Sequence, residues 1–214
     1  MLYNYQEYQK DENNKNILLM NDKHQVMMQW EQNLMEACID ELNPRNGDVL
    51  EIGFGMGYSA RRIQKYNPKS HTIIEMDKNV ITKAKLDLGF HPTLGNYENI
   101  IWVEGTWQKE LNKLGKFDFI FFDDYPLEPD STDSFQQRLT AERLYMFIDI
   151  CLDSHLNDRG KISAYTHDPE RKLKERIMSG RNVEYSEKEV DIDVPDNCNY
   201  YRDTKGLIPI ITKI

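Results

Sequence analysis

Segments that suit strands and helices alternate along residues 48–165, and this alternation constrains the fold more than any other feature of the sequence. Alternation of this kind predicts a parallel sheet with helices on both faces. The fourth strand segment is almost continuously apolar, which predicts a central strand buried on both faces. The predicted strands are DVLEI (48–52), HTIIE (71–75), IIWVE (100–104), FDFIFFD (117–123) and KISAY (161–165).

The two ends of the chain break this rhythm. Residues 26–42 carry apolar side chains every three or four positions, which predicts a helix with one buried face. Residues 183–192 and 206–213 predict a terminal hairpin that pairs antiparallel with the sheet, with Pro209 at an edge or bulge. Residues 1–25 are polar, and we expect a flexible N-terminal arm or lid ahead of a single domain over residues 26–214.

The net charge, the cysteine spacing and the lack of long apolar runs exclude several classes of protein. The 214 residues include 27 basic and 36 acidic side chains, a formal net charge of −9, which disfavours a protein that binds nucleic acid by neutralising phosphates. The three cysteines form neither a zinc motif nor a disulfide framework. No apolar run approaches the ~20 residues of a membrane helix, and the N-terminus lacks the features of a signal peptide. We therefore expect a cytoplasmic protein.

A glycine-rich turn follows the first predicted strand. Residues 53–57 read Gly-Phe-Gly-Met-Gly, at a point where glycines let the chain turn tightly and let a ligand approach the backbone. Glu75 lies 20 residues after Gly55, at the end of the second strand. A carboxylate there can accept hydrogen bonds from the hydroxyls of a ribose. The spacing therefore favours a nucleoside-containing ligand over a merely solvated strand end.

Six segments, in order through most of the chain, resemble one enzyme family closely. They are VMMQWEQNLM (26–35), VLEIGFGMG (49–57), HTIIEMD (71–77), EGTW (104–107), DDYPL (123–127) and CNYYRDTKGLIPIITK (198–213). Together they resemble the guanidinoacetate N-methyltransferases, which depend on S-adenosylmethionine. The resemblance implies an α/β, Rossmann-like class I methyltransferase fold: a mostly parallel seven-stranded sheet with a C-terminal antiparallel hairpin and helices on both faces.

The resemblance implies that S-adenosylmethionine is the cofactor and that a particular set of residues borders it. For Met27 and Met35, packing in the core is an equal alternative, because their spacing places both on roughly one helix face. Trp107 is expected either to cover the adenine or to pack beneath the loop. The expected cofactor-binding residues are Met27, Met35, Gly53, Phe54, Gly55, Met56, Gly57, Glu75, Met76, Gly105, Thr106 and Asp123.

Two acids are expected to hold the substrate, a small guanidino compound such as guanidinoacetate. A guanidinium is planar and has five N–H donors, so neighbouring carboxylates can bind it bidentately and accept a proton from it. Asp123 ends the most buried strand, and Glu31 follows Trp30 on the first helix. The resemblance assigns this catalytic and substrate-binding role to both acids. Asp124 is expected to be an ordinary turn acid.

Two loops are expected to complete the substrate pocket. Tyr125 shapes the loop after the fourth strand, and the loop after the fifth strand contains His167 and Asp168. The resemblance leads us to expect a Leu-Thr pair in this second loop, and the His-Asp-Pro run departs from it. An acidic Asp168 there would repel a carboxylate on the substrate.

Three other functions remain open from the sequence. The related arginine N-methyltransferases, which alkylate the inner guanidino nitrogen, share the glycine turn, so protein arginine is an alternative substrate. A magnesium-dependent small-molecule O-methyltransferase would use Asp123, Asp124 and Asp130 as ligands. A non-catalytic S-adenosylmethionine-binding protein would not need Glu31 and Asp123. We expect a small guanidino molecule as the partner, with no metal, nucleic acid or membrane, and a protein partner is left unknown by the sequence.

Overall fold

The computed structural model describes residues 6–21, 23–93, 97–125, 134–166 and 172–214. For residues 134–141 and 172, it describes the backbone only. Its first element is an antiparallel sheet of three strands, β1 (Gln6–Lys10), β2 (Asn16–Met20) and β3 (His24–Met28), with β2 in the middle. This differs from the loosely held arm that the polar composition predicts. The apolar island of β2 explains the difference, because Ile17 and Leu18 are buried against the rest of the chain.

The predicted start of the first helix at Val26 is wrong. Residues 24–28 pair with β2 as a strand, a turn of 3-10 helix covers Gln29–Glu31, and helix α1 begins only at Gln32. α1 (Gln32–Leu42) ends at Asn43, which adopts the left-handed conformation with φ 51°. The apolar residues before Gln32 therefore belong to a strand and a turn, and the local spacing does not reveal this.

Seven strands form the central sheet, in the spatial order β6-β5-β4-β7-β8-β10-β9. Pairing is parallel from β6 to β8, and β10 runs antiparallel to both β8 and β9. This confirms the predicted fold class and its C-terminal hairpin. The strands are β4 (Asp48–Ile52), β5 (Ser70–Glu75), β6 (Ile100–Glu104), β7 (Phe117–Phe122), β8 (Leu156–Ala164), β9 (Val183–Asp191) and β10 (Lys205–Lys213).

The hairpin extends the sheet beyond β8, with β10 on the inner side and β9 as the edge strand. The sequence predicts Pro209 at an edge or bulge. β10 lies between β8 and β9, so Pro209 does not lie on an edge strand. Pairing with β8 covers only residues 210–212, and Pro209 lies just outside it. Its missing N–H is therefore tolerated at the point where that ladder stops.

Helices cover both faces of the sheet and divide the core into two halves. Phe121 faces α1–α3, whereas its neighbours Ile120 and Phe122 face the other helices, as the alternation along a strand requires. This confirms that β7 is buried on both sides. Within the described residues, every helix is too short or too polar to cross a bilayer. The remaining helices are α2 (Tyr58–Gln64), α3 (Lys78–Leu86), α4 (Trp107–Glu110), α5 (Ser134–Ile150) and α6 (Lys172–Met178), with a π-helical turn at Cys151–His155 after α5.

Candidate active site

The candidate site lies where the chain order of the sheet reverses, between β4 and β7. The carboxyl ends of these two parallel strands are joined by a hydrogen bond from the Asp123 N–H to the Ile52 carbonyl, 3.0 Å. Gly53 follows β4 and is tied to β5 through the Ile74 carbonyl, 2.9 Å. A cavity of about 770 Å³ opens at this edge. Such reversal points are where open α/β sheets bind ligands.

The glycine turn forms one wall of this cavity through its backbone. Gly53 and Gly55 have φ of +80° and +52°, and both line the cavity. A Cβ added to Gly53 would lie 2.0 Å from the Asp123 carbonyl oxygen, so only glycine fits there. The other turn residues that the sequence predicts as cofactor contacts, Phe54, Met56 and Gly57, do not line the cavity. Phe54 instead packs in the core behind the turn.

Gly55 allows a test of the turn. A Cβ at Gly55 would meet the Met27 sulfur at 2.7 Å in a left-handed backbone conformation. We expect Gly55→Ala to destabilise the protein by about 1–2 kcal/mol and to weaken S-adenosylmethionine binding about tenfold. Urea unfolding and calorimetry measure the two effects. Gly115→Ala is the matched control, because its added Cβ meets nothing within 4 Å. Equal behaviour of the two variants would contradict the assigned role of the turn.

Glu75 links the second strand to the glycine turn. Its buried carboxylate accepts hydrogen bonds from the backbone N–H groups of Phe54 (2.9 Å) and Asp77 (2.8 Å). Burial raises the pKa of Glu75 above its ordinary value, and these two hydrogen bonds oppose that shift. Glu75 and Met76 both line the cavity, as the sequence predicts. The position at the end of β5 suits contact with a ribose.

The third strand contributes the next part of the wall. Gly105 and Thr106 line the cavity, and the Gly105 N–H is held by the Glu75 carbonyl at 2.9 Å. Trp107 is 5 % exposed and packs edge-on against Phe122 and Phe147. It therefore lies beneath the loop, although its edge reaches the cavity.

Asp124 is hydrogen-bonded to two side chains beside the cavity. Its carboxylate accepts hydrogen bonds from the Trp107 indole N–H (2.7 Å) and from Arg143 Nε (2.5 Å). Both partners lie on helices that flank the loop. Asp124 thereby ties the loop next to Asp123 to both helices, and it also lines the cavity.

The two methionines occupy different environments. Met27 lies on β3, not on α1, and its sulfur accepts a hydrogen bond from the Met56 N–H at 3.2 Å. It lines the cavity at the glycine turn. Met35 lies on α1, is fully buried and does not line the cavity. Met27 and Met35 therefore do not share one helix face, and of the two only Met27 lines the cavity.

Glu31 enters the cavity from the 3-10 turn ahead of α1. It is only 2 % exposed, and its Oε1 accepts hydrogen bonds from the Met28 N–H (2.7 Å) and the Tyr200 hydroxyl. Burial raises the pKa of Glu31 to about 7, although both hydrogen bonds favour the ionised form. The nearby Tyr165 hydroxyl also favours the ionised form of Glu31, and among the described residues no hydrogen bond of ordinary length reaches Oε2.

Asp123 lies in the same cavity without a donor of its own. Burial raises its pKa well above the ordinary value, and the negative charges of Glu31 and Asp124 add to this shift. Arg143 opposes the shift. Among the described residues, none donates a hydrogen bond to the Asp123 carboxylate. The cavity therefore contains two neighbouring carboxylates whose open oxygens can bind a cation.

Of the remaining residues predicted to bind the substrate or a metal, the structure describes only one. Tyr125 lines the cavity beside Asp123. His167 and Asp168, and the possible metal ligand Asp130, lie outside the described residues. In the part of the chain that the structure describes, no three His, Cys, Asp or Glu side chains come together as metal ligands would.

Three residues that line the cavity are not predicted from the sequence. Tyr165, Tyr200 and Arg143 all line the cavity. Tyr200 falls within a segment that carries the family resemblance, which is the one sequence signal that points to it. Tyr165 follows β8 at the same sheet edge as Asp123, and its hydroxyl is buried without a partner among the described residues.

Glu51, the acid before the glycines, supports the site from within the core. It is fully buried and accepts hydrogen bonds from the Ser59 hydroxyl and from His71 Nε2 at 2.8 Å. The Gln64 amide contacts the other ring nitrogen of His71 at 3.0 Å. An Nδ1 that accepts from this amide leaves the proton on Nε2, directed at Glu51. This network joins β4, β5 and α2 behind the turn and does not line the cavity.

The cavity fits S-adenosylmethionine in the features that the described residues show. The close backbone approach at the glycine turn, the Glu75 carboxylate after β5 and the Gly105–Thr106 backbone after β6 would face the amino acid, ribose and adenine parts respectively. The volume of about 770 Å³ lies within the range of small-molecule sites.

Solved structures place this architecture in a known class. The O-methyltransferase TomG from Streptomyces achromogenes, solved in complex with SAM, aligns with TM-score 0.58 and 13% identity over 85% of this chain and 80% of its own. A spermidine synthase from Thermotoga maritima aligns with TM-score 0.64 and 18% identity over 99% of this chain and 72% of its own. The second alignment must include the N-terminal sheet. Fold and neighbours together define a Rossmann-like fold of the class I methyltransferase type.

Sequence comparison then identifies the family. The profile described as guanidinoacetate N-methyltransferase matches residues 3–214. Protein arginine N-methyltransferase 2 of Candida glabrata is 32% identical over 210 residues, which cover 86% of this chain and 48% of that protein. The chain thus spans about half the length of this relative. It belongs to the guanidinoacetate N-methyltransferase family.

Proposed function

We propose that this domain transfers a methyl group from S-adenosylmethionine to a guanidino nitrogen of a small, guanidinoacetate-like molecule. The observation that carries the proposal is a pair of neighbouring carboxylates in one cavity, Glu31, which is buried, and Asp123, which is partly buried. Two neighbouring carboxylates shielded from water are ionised together only at a cost in free energy, and a cationic ligand removes that cost. A guanidinium supplies the charge and, being planar with five N–H donors, can satisfy both acids at once.

The two acids have separate tasks in this proposal. S-adenosylmethionine, when bound, supplies a methyl group on a positively charged sulfur. Glu31 and Asp123 hold the planar guanidino group in the cavity beside the glycine turn. The bound cation lowers the raised pKa of each acid, so that both are ionised in the complex. Asp123 then accepts the proton that the guanidino nitrogen loses as it is methylated, and burial, which disfavours the ionised carboxylate, favours this transfer.

A second candidate substrate is arginine within a protein. The relative from Candida glabrata is named protein arginine N-methyltransferase 2, and the carboxylate pair would bind an arginine side chain equally well. The loop with His167 and Asp168, where a substrate carboxylate or a peptide backbone would lie, is outside the described residues. Activity assays must therefore separate the two substrates.

The test combines binding with a panel of substrates. Calorimetry should first show that S-adenosylmethionine binds. Methyl transfer is then followed by mass spectrometry with guanidinoacetate, free arginine, an arginine-containing peptide and 1,4-diaminobutane, a flexible dication that lacks the planar guanidino group. We expect the highest kcat/KM for guanidinoacetate or free arginine and none for the diamine. Turnover of the peptide alone would favour the second candidate, and binding without turnover of any guanidino compound would refute both.

A further inference from the structure

The Glu31 carboxylate is held through one oxygen only. Oε1 accepts two hydrogen bonds, from the Met28 N–H at 2.7 Å and from the Tyr200 hydroxyl. A carboxylate oxygen has two lone pairs directed for such bonds, so these donors saturate Oε1. Fixing Oε1 in this way leaves Oε2 as the oxygen that is open to a ligand in the cavity.

The Tyr200 hydroxyl reaches Glu31 from a distant part of the chain. Tyr200 lies on the connection between β9 and β10, 169 residues from Glu31. The Gln25 side chain anchors this connection, since it donates to the Asn197 carbonyl and accepts from the Asn199 N–H, both at 2.8 Å. The β9–β10 connection therefore determines where the hydroxyl lies.

We propose that Tyr200 is a positioning residue for the substrate site, whose hydroxyl orients the Glu31 carboxylate so that Oε2 stays available to the guanidino N–H groups. This inference rests on the proposed function. Tyr200 acts through Glu31, and no proton or methyl group passes through it.

Groups from several elements surround Glu31 and determine how readily it ionises. Among the described residues, the titratable side chains that interact electrostatically with Glu31 include no cation; they are Asp123 after β7, Tyr165 after β8, Tyr58 on α2, and Tyr200 and Tyr201 on the β9–β10 connection. Of the groups that favour the ionised form of Glu31, the Tyr200 hydroxyl has the largest effect. Its removal should therefore raise the pKa of Glu31 further and loosen the carboxylate.

Tyr200→Phe tests the proposal, with Tyr201→Phe as the matched control. The ring contact of Tyr200 with Trp30, 6.4 Å between centroids, is kept in the first variant. The Tyr201 hydroxyl donates to the Lys205 carbonyl at 3.0 Å rather than to Glu31. In the free protein, carbon-13 NMR titration of glutamate carboxyls, with Glu31→Gln to identify the resonance, should show the pKa of Glu31 raised by about one pH unit in Tyr200→Phe only.

Kinetics provide the second measurement. The acidic limb of kcat/KM for the guanidino substrate should move up by about one pH unit in Tyr200→Phe, with a roughly tenfold loss at pH 7 and unchanged S-adenosylmethionine affinity. An unshifted Glu31 titration or an unshifted limb would reduce Tyr200 to a packing role and overturn the proposal. Failure of the proposed function looks different: the unmodified protein would turn over no guanidino compound, while the NMR result, which needs no substrate, would still stand.

Discussion

Asp123→Asn should lower kcat/KM for the guanidino substrate about 10³-fold. Asparagine keeps the shape of the side chain, but it loses the charge that binds the guanidinium and cannot accept the proton released on methylation. General-base catalysis alone contributes about 10²–10⁴-fold, and the loss of a charge-assisted hydrogen bond adds to that. The Asn amide group would also direct N–H donors at a ligand that offers only donors. Steady-state kinetics at saturating S-adenosylmethionine measure the effect.

The matched control lies on the same strand. Asp118 is at the opposite end of β7, where its carboxylate accepts hydrogen bonds from the Asp48 N–H (2.9 Å) and the Asn157 amide (2.8 Å). Asp118→Asn makes the same chemical change far from the cavity and should leave kcat/KM within about twofold. Because Asp123 is also predicted to border the cofactor, calorimetry with S-adenosylmethionine should accompany both variants. A loss of cofactor binding equal to the loss of kcat/KM would contradict the assigned role as proton acceptor.

The parts of the site that could be predicted from sequence are those with a local pattern. Alternating strands and helices predict the sheet, and the order of its strands then brings Gly53 and Asp123 together at one edge. The spacing of Glu75 from the glycines places it in the same cavity. For Glu31, residue chemistry alone indicates a solvated helix acid, and only the family resemblance points to its actual place.

Contacts between distant segments leave no such pattern. Tyr200 and Glu31 are 169 residues apart, and nothing in the periodicity of either segment indicates that they meet. The strand β3 looks helical in sequence because its apolar residues continue the spacing of α1. Its partner β2 overrides that local tendency, since pairing and burial of Leu18 outweigh helix propensity over five residues.

Glu31→Gln should stabilise the protein at alkaline pH while it lowers kcat/KM about 10²-fold. Burial raises the pKa of Glu31 from 4.5 to about 7. Between these values the folded state binds more protons than the unfolded state, so stability falls as pH rises. The cost is absent below about pH 4.5 and complete above about pH 7, where it amounts to about 3 kcal/mol. Glutamine does not titrate, and its amide oxygen can still accept from Met28 and Tyr200.

Urea unfolding at pH 8 and at pH 4.5 checks this prediction. The gain in the free energy of unfolding for Glu31→Gln should be about 2–3 kcal/mol at pH 8 and should vanish at pH 4.5. Glu41→Gln is the control, because Glu41 is partly exposed and paired with Lys188, and it should change stability by less than about 1 kcal/mol at either pH. A Glu31→Gln protein that is less stable at pH 8 would show that the folded state favours the ionised carboxylate, and this would contradict the raised pKa of Glu31.

The same charges link stability to the substrate. A guanidinium bound between Glu31 and Asp123 neutralises the repulsion that destabilises the free protein, so the substrate should raise the Tm more at pH 8 than at pH 6. In Glu31→Gln, this pH dependence should largely disappear. A diamine, which lacks the planar fork, should give a smaller increase at both values. The two acids that bind a planar cation would then lower the stability of the free protein. The Tm values with and without substrate at pH 6 and pH 8 would measure how much of that stability the substrate restores.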